Sequence, residues 1–104
     1  MTLTDFSDAL KAAVPASYPN AAPAGVRPCV VWSAYGSRTL DGNDRTQLAI
    51  PRVQLDILSN TYPDPIIDRV TDLLWELELT YSDQGSSYDP DYGCFRTILQ
   101  TEVM

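Results

Sequence analysis

The sequence predicts an α+β fold, an antiparallel sheet of about four strands with two helices packed on one face, in the order α-β-β-α-β-β. Three observations predict it. Apolar and polar residues alternate through Arg52–Ile57 and again, with one exception, through Cys94–Val103, the period of a strand that buries one side. Between these segments the apolar period lengthens to that of a helix, and clusters of Pro, Gly, Asp and Asn punctuate each change. With 104 residues, 44% of them hydrophobic and 20% charged, the chain suits one compact domain over 1–104 and is too apolar to read as disordered.

The elements follow in order. Phe6, Leu10 and Val14 stand at i, i+4 and i+8, so Leu3–Val14 reads as a short amphipathic helix with Thr4 as N-cap and Pro15 ending it. The next stretch, PASYPNAAPAGVRP from Pro15 to Pro28, carries four prolines and reads as an extended surface connector. Cys29–Tyr35 is β-branched and aromatic and continues as strand to Leu40, before the turn cluster Asp41-Gly42-Asn43-Asp44. A second strand runs from about Thr46 to Ser59, with Val53, Leu55 and Ile57 on one face and Arg52, Gln54 and Asp56 on the other. Together they predict a long hairpin in which Pro51, lacking an N–H, sits on an edge or at a bulge.

Asp64 and Pro65 suit an N-cap and a first helical position, and the stripe Ile66, Ile67, Val70, Leu73, Leu74, Leu77 makes the main core helix, ending near Leu79. Asp68, Arg69, Asp72 and Glu76 lie opposite the stripe. Trp75, interrupting that polar side next to Leu74, reads as core or helix–helix packing. Leu79–Tyr81 is a short strand-like piece, and residues 82–93, rich in Ser, Asp, Gly and Pro, read as a loop. The last strand, Cys94–Val103, puts Phe95, Leu99 and Val103 on one face and Arg96, Gln100 and Glu102 on the other, with Ile98 the exception. Helices cover one side of this sheet, and the other is left for water or a partner.

Composition removes several functional classes. There is no histidine, so neither a Ser-His-Asp nor a Cys-His system can be assembled, and Lys11 is the only lysine. The chain is expected not to be an enzyme and to need no cofactor or metal. Fourteen acidic against seven basic side chains give a net charge of −7, which argues against a duplex-binding surface. No apolar run spans a membrane, and the first residues lack the layout of a signal peptide, so the chain is expected to be soluble and made in the cytoplasm. Cys29 and Cys94 have neither zinc-ligand nor CxxC spacing and read as reduced small hydrophobes, with a disulfide between neighbouring strands the alternative.

Asp41–Asp44 begins like a calcium loop but has its glycine in the wrong register, and a hairpin tip explains it better. Asp83, Asp89 and Asp91 read chiefly as turn residues rather than cation ligands. Arg27, Arg38, Arg45 and Arg52 lie near Trp32 and Tyr35, leaving open nucleic-acid contact, carboxylate pairing across a subunit contact and salt bridging within the chain; the acidic balance favours the last two. Tyr81, Tyr88 and Tyr92 cluster at the last loop and suit either loop packing or an interface.

The helix, the Pro/Ala-rich linker and the segments RPCVVWSAYGSRTLDGN, RVQLDILSNTYPDPIIDRVTDLLWEL and DYGCFRTILQTEV together resemble the tail-completion, or tail-terminator, proteins of siphophages and prophages. The resemblance covers nearly the whole chain and rests on element order, on Arg52–Ile57 and on Gly93–Arg96. It implies a structural virion protein that forms a ring, a homohexamer, at the head-proximal end of the tail tube, stops tube polymerisation and provides the head–tail joining surface. The partners implied are further copies of the chain, the tail tube protein and a head connector or stopper protein. DNA would pass through the ring without specific binding, and no catalytic motif is carried over.

Rings close through heterologous contacts, for which the polar sheet face and the hairpin are the natural suppliers. The candidate subunit and tube interface is therefore Trp32, Tyr35, Arg38, Asp41, Asn43, Arg45, Arg52, Tyr88, Tyr92 and Arg96. Some relatives of this size instead close the head portal, which makes a head-closure or adaptor role the nearest alternative. From a different class, the net charge also suits a small monomeric inhibitor that imitates nucleic acid.

Overall fold

A computed structural model describes residues 1–41 and 47–104. Among these, two helices and five strands follow one another as α1 (Leu3–Ala13), β1 (Ser17–Pro19), β2 (Cys29–Asp41), β3 (Gln47–Ser59), α2 (Pro65–Glu76), β4 (Tyr81–Asp89) and β5 (Cys94–Glu102). They form one α+β unit with a mixed, mostly antiparallel sheet in the order β1-β2-β3-β5-β4; only β1 runs parallel to its neighbour.

Two strands depart from the expected four. β1 comes from the proline-rich connector, where Ser17–Pro19 align with Val30–Trp32 and the Asn20 N–H donates to the Trp32 carbonyl at 2.8 Å. Asn20 turns the chain away at φ 68°, a left-handed conformation that Asn tolerates better than most residues. β4 replaces most of the expected loop. Its serines, glycine and aspartates have weak strand preference, and pairing with β5 imposes the extended state on them. A tight turn joins the two strands, closed by the Gly93 N–H on the Asp89 carbonyl at 2.8 Å, with Gly93 at φ 66°.

The helix ends show how the sequence sets local geometry. On α1 the cap is Thr2 rather than Thr4. Asp5 N–H donates to Thr2 Oγ1 at 3.0 Å and Thr2 N–H to Asp5 Oδ2 at 3.2 Å, a reciprocal capping box. These bonds from Thr2 hold the Asp5 carboxyl below its ordinary pKa. On α2 the expected cap is present, with Asp64 Oδ1 accepting from Ile66 N–H at 2.9 Å and Pro65 next. The helix ends at Glu76, short of Leu79, because Leu79 N–H returns to the Leu74 carbonyl and Glu78 N–H to that of Trp75, a Schellman motif. The motif requires a left-handed residue, here Glu78 at φ 59°.

The main core joins both helices to one side of the sheet. Phe6, Leu10, Ile66, Val70, Leu73 and Leu74 meet Val30, Val53, Leu55, Ile57, Leu99 and Val103, with Val14 and Leu79 completing the cluster. A second, smaller cluster lies apart from it. There Cys29, Leu58 and Cys94 are buried under Ala16, Tyr18, Ala22, Val26 and Val31, so the connector is a cover as well as a link. Both cysteines are free, as expected; their strands are each neighbours of β3 and not of one another.

Two irregularities shape the hairpin. β2 gains an extra residue, Tyr35, between the pairs Ala34↔Val53 and Gly36↔Arg52, which shifts its alternation by one. In addition, β5 ends opposite Arg52, whereas β2 and β3 stay paired from Ser37↔Pro51 out to Asp41↔Gln47. The hairpin therefore continues as a two-stranded arm, and Pro51 sits just past the point where β5 ends.

Candidate functional site

The sheet side opposite the helices carries the charged residues. Along β3 and β5 the polar side chains pointing away from the main core are Arg52, Gln54 and Asp56, and Arg96, Gln100 and Glu102, with Ile98 and, in the smaller cluster, Leu58 and Cys94 on the same side. Strand pairing sets the polar groups side by side. Arg96 Nη2 lies 2.8 Å from Asp56 Oδ2, and its Nη1 lies 3.9 Å from Asp89 on β4. Gln54 Nε2 donates to Asp56 Oδ1 at 2.9 Å, and Gln100 Nε2 donates to Gln54 Oε1 at 3.3 Å. Nearer the arm, Arg38 Nε pairs with Glu102 Oε2 at 2.5 Å. The result is a polar lattice across four strands. Its ion pairs are partly exposed, so each contributes no more than about 1 kcal/mol to stability.

The bulge at Tyr35 decides what reaches this lattice. Uninterrupted alternation would send Arg38 to the same side as Val30 and Trp32, into the helix layer. With one residue added, Arg38 instead reaches Glu102, and Tyr35 stays on the same side. There Tyr35 lines a groove of about 260 Å³ with Arg52, Tyr81, Ser82, Gln100 and Glu102. A second hollow of about 500 Å³ opens between the connector residues 20–25 and the β4–β5 turn, with Arg27, Asp56, Asp91, Tyr92 and Arg96 on its walls.

The expected interface residues divide accordingly. Tyr35, Arg38, Arg52 and Arg96 share the open sheet side, and Tyr92 joins Arg96 at the second hollow. Trp32 does not belong with them. It packs edge-on against Phe6 on the helix side, ring centres 6.1 Å apart, because it shares its alternation with Val30. Tyr88 is exposed at the far end of β4 and stands edge-on to Phe95 at 5.4 Å; Tyr81 lies at the opposite end of that strand, so the three tyrosines do not form one cluster. Asp41 closes β2 opposite Gln47, while Asn43 and Arg45, with most of the Asp41–Asp44 cluster, lie outside the described residues.

Arg27 also separates from the expected arginine group. Its Nε donates to Cys94 Sγ at 3.3 Å and its Nη1 to the Val26 carbonyl at 2.6 Å, and the bond to Cys94 pushes the guanidinium pKa up. Burial pushes the Cys29 thiol up as well, the opposite of what a nucleophilic cysteine needs. Asp83 accepts from Gly85 N–H at the register shift within β4, and Asp89 from Asp91 N–H in the β4–β5 turn, so both are taken up by local backbone. Among the described residues no group of His, Cys, Asp and Glu is placed to hold a metal ion, and no helix is long and apolar enough to cross a membrane.

The largest departure is Trp75. Expected in the core, it is 84% exposed, on the outer side of α2. The signal was present in the helical spacing, which sets Trp75 beside Asp68 and Asp72 and away from the stripe. Set against family models, curated proteins and solved structures, the chain matches none.

Proposed function

We propose that the protein is a non-enzymatic structural component of a phage or prophage virion, a tail terminator made in the host cytoplasm. Copies of the chain, six by the resemblance, close a ring at the head-proximal end of the tail tube. One ring face fits the tube end and the other refuses a further tube subunit, so polymerisation stops and a surface for the head connector or stopper protein is left. The observation that carries this reading is the arm, in which β2 and β3 continue as a pair from Ser37↔Pro51 to Asp41↔Gln47, beyond the end of β5. Two strands alone bury little and are marginally stable, so an arm of this kind gains by lying on a neighbouring subunit.

The polar lattice supports the same reading. An arm on one side and a charged, grooved sheet side on another are different surfaces, as the heterologous contact of a ring requires. Arg52 and Tyr35 are exposed beside the groove, and Arg and Tyr are among the residue types enriched at protein contacts. The net charge of −7 suits a channel through which DNA slides without sticking.

Electron microscopy of particles made after deleting the gene tests the proposal. Overlong, headless tails are expected. Tails of normal length beside unattached or leaking heads would move the protein to head closure, and normal infectious particles would overturn the virion reading in favour of the acidic inhibitor. Sedimentation of the purified chain with tail tubes adds a second readout, with ring-sized assemblies expected on the tube end.

A further inference from the structure

We propose that the outer face of α2 is a docking surface for a basic protein segment, with Trp75 as its anchor. The proposal concerns the helix side of the molecule, away from the polar lattice, and goes beyond the capping role.

At 84% exposure Trp75 stands clear of the other exposed aromatics, which range from 42% to 61%. It is also held in place. The preceding residue, Leu74, is fully buried, and the Trp75 carbonyl accepts from Leu77 and Glu78 N–H at the end of the helix, so the indole cannot rotate inward without unpacking α2. Trp is among the residue types enriched at binding hot spots, where the ring that is solvated in the free protein becomes desolvated in a pocket of the partner.

Its surroundings say what it fits. Asp68 and Asp72 lie two turns and one turn back on the same stripe, and Glu76 and Glu78 follow Trp75 in the chain; all four carboxylates are exposed. The nearest cation on the helix, Arg69, is about 120° round it. An aromatic face among carboxylates attracts a cation through the ring quadrupole and through charge together. A guanidinium suits both, being planar enough to stack on the indole and forked enough to pair with a carboxylate beside it.

A foreign protein fits this face better than a second copy, because the chain carries a net −7 and two copies repel one another on average. Of the basic residues among those described, Lys11, Arg27, Arg38 and Arg96 are engaged with Ser17, Val26 and Cys94, Glu102, and Asp56 with Asp89 respectively, and Arg52 and Arg69 are exposed singly on different elements rather than beside one another. An anionic membrane or a nucleic acid would be repelled. What remains is a segment that presents Arg or Lys beside an apolar residue.

Nuclear magnetic resonance of the full chain tests this directly, because Trp32, packed against Phe6, provides an internal control indole. The probe is a synthetic peptide of alternating Arg and Leu, with an alternating Glu and Leu peptide as its counterpart. The expected result is a saturable shift of the Trp75 indole N–H and of the outer α2 amides with the first peptide alone, while Trp32 stays in place. Trp75→Ala should weaken binding by about tenfold or more with an unchanged circular dichroism spectrum. The pair Asp72→Asn and Glu78→Gln should weaken it several-fold and flatten its salt dependence. Shifts spread over every acidic surface, or undiminished binding by Trp75→Ala, would overturn the proposal.

Discussion

The two sides of β3 are built on different physics. Val53, Leu55 and Ile57 are wholly buried among the helices, whereas Gln54 and Asp56, their immediate neighbours, are half-buried and tied into a hydrogen-bonded lattice. On the first side, close packing supplies stability, and each methylene removed from water counts. On the second, partly hydrated ion pairs contribute little to stability but fix where charges stand. The strand can therefore be altered on one side without unfolding and on the other hardly at all, so the lattice is the side free to be shaped by partners.

The comparison breaks most sharply at adjacent residues. Leu55→Ala should lower unfolding free energy by about 2–5 kcal/mol, whereas Gln54→Ala should cost under about 1 kcal/mol, both measured by urea denaturation. Similar values for the two would erase the distinction. At the end of α2, Glu78→Gly should raise stability by up to about 1 kcal/mol, because glycine meets no Cβ penalty at a left-handed position. Thermal melts would register the gain. On the lattice, Arg96→Ala should cost no more than about 1 kcal/mol while reducing assembly on tail tubes, which sedimentation would detect. The smallest effect belongs to Asp5. Its pKa is depressed when folded, so its stabilisation is complete above the unfolded pKa and is lost as pH falls through the folded one. The gap in melting temperature between wild type and Asp5→Asn should accordingly persist at neutral pH and close in acid.

Legibility followed the local strength of each signal. Asp64, Pro65 and the stripe from Ile66 to Leu77 agree with one another, and α2 starts where they place it. The alternation of Val53, Leu55 and Ile57 likewise identified the core side of β3. β4 was hidden because Ser82–Ser87 favour turns, and only the neighbouring β5 makes them a strand. β1 was hidden in the same way by its prolines. Of the candidate surface, Arg38, Arg52 and Arg96 came together as charged members of one sheet side, but the reach of Arg38 to Glu102 depends on an extra residue that no pattern in the sequence announced. Trp32 and Trp75 were exchanged in effect, the first going to the helix layer and the second to water. Size and apolarity suggested burial for Trp75, and helical angle, which opposed it, was the better guide.

The bulge at Tyr35 makes the hairpin sensitive to how that one residue is accommodated. Absorbing Tyr35 into the ladder would pair it with Arg52 and set every later residue of β2 one place along β3, so that Arg38 would turn toward the helices and Glu102 would lose its counter-charge. Deleting Tyr35 also closes the ladder, but Gly36 then still meets Arg52 and Arg38 still meets Ile50, so the charged side keeps its charges and loses only the tyrosine. The link between Ala34 and Gly36 thus acts as a phase setting for the arm, which holds with the extra residue looped out or removed and fails only when that residue is taken into the pairing.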